Sequence, residues 1–174
     1  IPDPLELTKK PSYSAQLSKK DEEFTYTVDY NFNNVPYEFE KNVMLTDPID
    51  YRLEVVSHSA QGPDGQSWPT RVVTQKDAGG NSQSVVVADV PPQGKDYNYL
   101  IMKKAKLKMT VRLKEEYRKN QASKAYLAIL QNNNGYGLVN QGNIMWNGED
   151  DSPNQDAHAK TKDKASTIRR SNPI

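Results

Sequence analysis

The chain contains no cysteine. Disulfides, thiolate zinc sites and cysteine nucleophiles are therefore excluded. It has no run of about 18 apolar residues, so nothing in it reads as a bilayer-spanning helix. It has almost no net charge: 23 Lys and Arg against 22 Asp and Glu leave +1. Such a balance supplies no strong field, and neither nucleic acid nor a membrane is an expected partner. Histidine is scarce, and His58 and His158 do not have metal-ligand spacing. There is no Gly-x-Ser-x-Gly, no phosphate loop and no dinucleotide fingerprint. The sequence thus carries no signature of a metabolic enzyme and none of an organic cofactor. Phenylalanine is also rare, three against ten Tyr. Aromatic positions with one wet end suit a thin β-sandwich.

What is present points to strands. The 174 residues are enough for one domain with a core. At 35% hydrophobic and 26% charged they are polar, yet not as poor in apolar residues as a disordered chain. Phe24, Tyr26, Val28, Tyr30 and Phe32 alternate with Thr25, Thr27, Asp29 and Asn31. That period of two predicts a half-buried antiparallel strand. Phe39, Lys41, Val43, Leu45 and Asp47 repeat the period, as do Leu107, Met109, Val111 and Leu113. Leu53 and Val55, residues 71–73, 84–88, 125–130 and 138–146 supply the remaining apolar runs. Breaker clusters separate them: Gly62-Pro63-Asp64-Gly65, Ala78-Gly79-Gly80-Asn81, Pro91-Pro92-Gln93-Gly94 and Asn132-Asn133-Asn134-Gly135. One helical turn fits residues 114–121, where Glu115 and Lys119 stand four apart. About eight or nine antiparallel strands and one helical turn predict an all-β, immunoglobulin-like sandwich. The expected domain spans residues 1–170, with 171–174 as a linker to a following domain. The Pro-rich ends read as cut linkers of a longer protein. Residues 158–170 fit either a last edge strand guarded by Lys and Arg or an exit linker.

Parity then isolates three polar residues. Leu5, Leu7 and Lys9 share one strand face, and Asp47 follows Val43 and Leu45 on another. Leu138, Asn140, Ile144 and Trp146 share a third, with Gly142 between them. Side chains of a strand alternate strictly, so all three polar groups point where their apolar neighbours point. Burying an amine, an acid and an amide separately costs several kcal/mol each. Burying them together suggests joint chemistry. A buried Lys favours its neutral amine, and a buried carboxylic acid favours its protonated form. The acid hydrogen-bonds the carboxamide and polarises its carbon. The amine attacks, ammonia leaves, and an isopeptide bond remains, in a single turnover in a dry site.

These residues carry a resemblance. Phe24-Thr25-Tyr26-Thr27-Val28, then Val43-Met44-Leu45-Thr46-Asp47-Pro48, then Gly137-Leu138-Val139-Asn140-Gln141-Gly142-Asn143-Ile144 resemble the isopeptide-forming immunoglobulin-like domains of Gram-positive pilins and adhesins. More narrowly they resemble the collagen-adhesin-type domain shared with fimbrial shaft proteins and the C-terminal domains of antigen I/II-like adhesins. The resemblance runs from about Leu5 to Trp146. It implies Lys9 as nucleophile, Asp47 as catalytic acid and Asn140 as acceptor. It further implies a structural stalk or adhesin module at the cell surface, anchored to the cell wall through a region outside this chain. Neighbouring domains of the same protein are the implied partners, with a host protein or glycan as ligand.

Alternatives stay open at this point. The family follows its Asn with Thr-Ala, whereas Gln141-Gly142 stands here. Asn143 is the substitute acceptor, at opposite parity. Lys10 replaces Lys9 if the strand carries a bulge, and Lys41 shares the expected face of Asp47. Asp150, Ser152, Asn154 and Asp156 alternate like a calcium loop, but Gln155 stands where the loop Gly belongs and Thr161 where the closing Glu belongs. Trp68 and Trp146 read as core anchors, though Trp68, beside Pro69 in a polar loop, also fits an exposed ligand contact. A ligand-binding β-sandwich without a cross-link is the rival function, and a secreted enzyme's accessory β-domain a third.

Overall fold

The structure is a computed structural model, and it describes residues 6–11, 15–16, 23–33, 39–118, 138–153, 159–160, 165–166 and 168–169. The strands in chain order are β1 (Glu6–Pro11), β2 (Ala15–Gln16), β3 (Phe24–Asn31), β4 (Met44–Pro48) and β5 (Leu53–Gln61). They continue with β6 (Ser67–Trp68), β7 (Thr70–Lys76), β8 (Ser82–Asp89) and β9 (Lys104–Leu113). The last are β10 (Val139–Asn140), β11 (Asn143–Met145), β12 (Ala159–Lys160), β13 (Ala165–Ser166) and β14 (Ile168–Arg169). A 3-10 turn at Asn98–Leu100 leads into β9, and one short helix, α1 (Glu115–Arg118), follows it.

Two five-stranded sheets form the layers. The first has the order β1-β3-β9-β5-β6 and the second β12-β11-β4-β8-β7. Pairing within both is antiparallel. Two small pairs stand beside them, β10 with β13 antiparallel and β14 with β2 parallel. The alternation of β3 turns Phe24, Tyr26, Val28 and Tyr30 into the core, with Phe32 just beyond it, where Leu107, Met109 and Val111 of β9 meet them. Leu45, Val86 and Ala88 close this core from the second sheet. Phe39 packs on Trp146 and Tyr97 at 5.0 and 6.3 Å between ring centroids, which seals one end.

β8 reads as a continuous apolar run because it is dry on both faces. Val86 and Ala88 face the main core, while Val85 and Val87 join Met44 and Met145 in a second cluster on the opposite side. Trp68 lies in the main core, as a core anchor and not as the exposed ligand contact its polar loop also fitted. Its indole covers Gly62, where a Cβ would stand 2.5 Å from the indole nitrogen. Among the described residues no helix is long and apolar enough to cross a membrane.

Several expectations change in detail. The described residues hold fourteen strand segments, more than eight or nine, because six of them are only two residues long. The strand expected from Phe39 begins only at Met44. Asn42 has φ 50, and the Asn147 side chain accepts the amides of Glu40 and Lys41 at 2.8 and 3.2 Å. Those bonds hold residues 40–42 as a loop. Lys41 is consequently exposed and does not share the face of Asp47. The run from Leu138 to Trp146 breaks at Gln141 and Gly142 into β10 and β11. The expected antiparallel pairing fails only for β14 with β2. The tail contributes three short strands, with β12 at the edge of the second sheet. The helical turn covers Glu115–Arg118; Lys119 and the apolar run 125–130 lie outside the described residues.

Candidate cross-link site

The register of β1 on β3 places Lys9 directly across from Val28. Val28 is fully buried on the core-facing side of the first sheet, and directly paired residues share a face. The pairing runs from Glu6 opposite Asn31 to Pro11 opposite Tyr26 without a shift. Lys10 thus falls opposite Thr27, on the other face, and the bulge that would exchange the two lysines is not there.

Asp47 belongs to the second sheet. It pairs with Val86, a residue of the main core, and is itself fully buried. A carboxyl at such a position stands in a low-dielectric layer between two sheets. Asn140 is 2% exposed and follows Leu138, another core residue, at the same parity. Among the described residues neither the oxygen nor the nitrogen of its carboxamide has a hydrogen-bond partner. A buried amide with both ends unused is uncommon enough in folded proteins to need a reason. Asn143 pairs with Thr46, one position out of phase with Asp47, so it lies on the opposite face of that sheet from the acid.

Tyr30 is the residue that sequence reasoning missed. It is fully buried on the same face of β3 as Val28, two positions on. Its hydroxyl donates to the Asn143 carbonyl at 2.9 Å, crossing from the first sheet to the second. Burial, and then the negative charge of nearby Asp47, push this hydroxyl well above its ordinary range, so it remains a donor. The signal in the sequence was a pair of tyrosines, Tyr26 and Tyr30, on an otherwise apolar strand face, where a phenol oxygen must find a partner once buried.

The calcium expectation gains nothing. Asp150 accepts the amide of Ser152 at 2.8 Å in a local turn. Asn154 and Asp156 lie outside the described residues. Among the described residues no three acidic or histidine side chains gather closely enough to hold a metal.

No protein-family model matches the chain. Over all 174 residues it is 99% identical to part of Platelet adherence protein A of Streptococcus gordonii. The chain spans only 5% of that relative's length. Among solved structures it resembles the N-terminal domain of the Streptococcus gordonii adhesin Sgo0707, with 9% identity and a TM-score of 0.51 over 81% of this chain and 29% of that one. It also resembles the Corynebacterium diphtheriae major pilin SpaA, described as a modular pilus assembly with stabilizing isopeptide bonds. There the identity is 11% and the TM-score 0.51, over 97% of this chain and 36% of that one. The chain is therefore a near-identical match to a fragment of a streptococcal adhesin, with the sandwich fold found in adhesin and pilin domains. The relative is named for platelet adherence, and the two solved structures are an adhesin domain and a pilin.

Proposed function

We propose that this adhesin- and pilin-like module is a rigid spacer of a surface protein, locked by an autocatalytic isopeptide bond between Lys9 and Asn140 with Asp47 as the acid. The observation that carries this reading is the Asn140 carboxamide, buried with neither end hydrogen-bonded among the described residues, in a core that also holds a buried carboxyl. Among the described residues no other hydrogen bond competes at either end of this carboxamide, which leaves it open to the Asp47 acid and the Lys9 amine.

The step balances as a transamidation. The neutral Lys9 amine attacks the Asn140 carboxamide carbon while Asp47, protonated, holds and polarises the carboxamide. A C–N bond forms, the original C–N bond breaks, and the proton lost by the amine leaves with the departing NH₂ as ammonia. The new link closes a loop of about 130 residues, which by the chain-entropy account of cross-links contributes roughly 4 to 5 kcal/mol. It serves a chain that has no cysteine and would bear shear at a cell surface.

The module so read spans residues 1–170, followed by a linker at 171–174 and by further modules of the same protein, with cell-wall anchoring supplied outside the chain. Host contact through a protein or glycan belongs to its loops or to other modules. Trp68, which a ligand-binding reading without a cross-link would have exposed, is buried, and no exposed aromatic groove replaces it among the described residues. Intact-mass measurement of the purified chain tests the reading. A deficit of about 17 Da, one ammonia, is expected; the full theoretical mass would leave an uncross-linked sandwich.

A further inference from the structure

The hydroxyl of Tyr30 connects the neighbourhoods of all three proposed cross-linking residues. Tyr30 shares a strand face with Val28, the register partner of Lys9. It stands close to Asp47. Its one donated hydrogen bond goes to the carbonyl of Asn143, three residues after Asn140. Between Asn140 and Asn143 the strand is interrupted at Gln141 and Gly142, so ladder bonds do not by themselves fix where β10 sits relative to β11.

We propose that Tyr30 is a positioning residue for the cross-link: by holding the Asn143 carbonyl against the first sheet, it sets the approach of the Asn140 carboxamide to Lys9 and Asp47. β11 is held by β4 on one side, through Asn143 with Thr46 and Ile144 with Leu45. Tyr30 adds a bond perpendicular to that sheet, across the layer in which the reaction takes place. Acyl transfer depends steeply on the separation of nucleophile and carbon, and a displacement of about 1 Å costs on the order of 100-fold in rate. A single buried phenol at the break between β10 and β11 removes that freedom. This inference rests on the cross-link reading and adds to it a residue that neither donates nor accepts the new bond.

The experiment uses chain recovered from inclusion bodies in denaturant, which has not folded and still has its full mass. It is diluted into native buffer at pH values from 5 to 9, and the loss of ammonia is followed by intact mass alongside folding by circular dichroism. Tyr30→Phe keeps the ring and removes the bond. It should fold, yet lose ammonia roughly 10- to 100-fold more slowly than the wild type across the pH range. Tyr99→Phe is the control, since it deletes a similar hydroxyl-to-carbonyl bond, to Pro91 at 2.6 Å, in another part of the core. It should lose ammonia at the wild-type rate. If Tyr30→Phe reaches the lighter mass as fast as the wild type, or Tyr99→Phe slows it equally, the positioning role is overturned. A wild-type chain that keeps its full mass at every pH overturns the cross-link itself, which is a separate and recognisable outcome.

Discussion

Asp47 stands directly across from Val86 in the pairing of β4 with β8, and both side chains are fully buried in the layer between the sheets. A carboxylic acid buried across from a valine costs several kcal/mol to desolvate. Its full burial between the sheets is what gives Asp47 a chemical reading. Asp47→Ala is expected to restore the full theoretical mass. The variant should also melt lower, since it loses a cross-link contributing roughly 4 to 5 kcal/mol. Mass spectrometry and thermal unfolding of the same sample check both halves.

The two lysines of β1 separate cleanly. Lys9 is in register with buried Val28, and Lys10 with Thr27 on the other face. Lys9→Ala should give the full mass, and Lys10→Ala should keep the deficit of about 17 Da. Tandem mass spectrometry of a digest should find Lys9 joined to the peptide containing Asn140.

Much of this was legible because β3 and β9 are long and strictly alternating: Tyr26, Val28 and Tyr30 announce their face without reference to anything else. Parity likewise carried Asp47 to the core, since Leu45 precedes it on the same strand. It failed at Lys41, because what ends the strand there is the side chain of Asn147, more than a hundred residues away. The core place of Trp68 was legible as well, but its contact with Gly62 across a turn was not. Tyr30 was seen only as a core residue; its partner is a backbone carbonyl, and a carbonyl leaves no mark in a sequence.

The Gly62 contact is itself testable. A methyl group there would press on three atoms of the Trp68 indole, at 2.5, 2.6 and 2.7 Å. Gly62→Ala should therefore destabilise the domain by about 1 to 3 kcal/mol through overpacking. Urea unfolding followed by tryptophan fluorescence measures it, and the cross-link should form regardless.

Alkaline pH offers an independent probe of the core. Burial, and then the neighbouring Tyr97, push the Tyr99 hydroxyl from its ordinary 10 up to about 12. A group whose folded pKa is raised contributes stability that is complete below its unfolded value and lost as pH climbs through the folded one. The Tyr99 contribution should therefore be intact below pH 10 and disappear on the way to 12. Tyr99→Phe should flatten the fall in melting temperature over that interval, with tyrosinate absorbance as the direct titration.

Arg71 holds the Asp89 carboxylate with two bonds, at 2.8 and 3.1 Å, and the Asp151 carbonyl with a third at 2.6 Å. The pair is partly exposed, at 31% and 40%, and water and salt screen it. Arg71→Ala should cost no more than about 1 kcal/mol. Hydrogen exchange should quicken in the turn around Asp151 before it changes elsewhere.

The pairing of β5 with β9 skips Val56: Val55 sits opposite Val111, and Ser57 opposite Thr110. Leu53 and Ala60 differ in parity, yet both reach the core because of that one supernumerary residue. Within β5, then, excision of Val56 would heal the ladder, leaving Leu53, Val55 and Ala60 with the β9 partners they already have. Excising an inward-facing residue such as Val55 would instead bring Val56 into its place, and the gap would close by substitution. The strand carries its own spare part, at a site where one residue can be lost without turning it inside out.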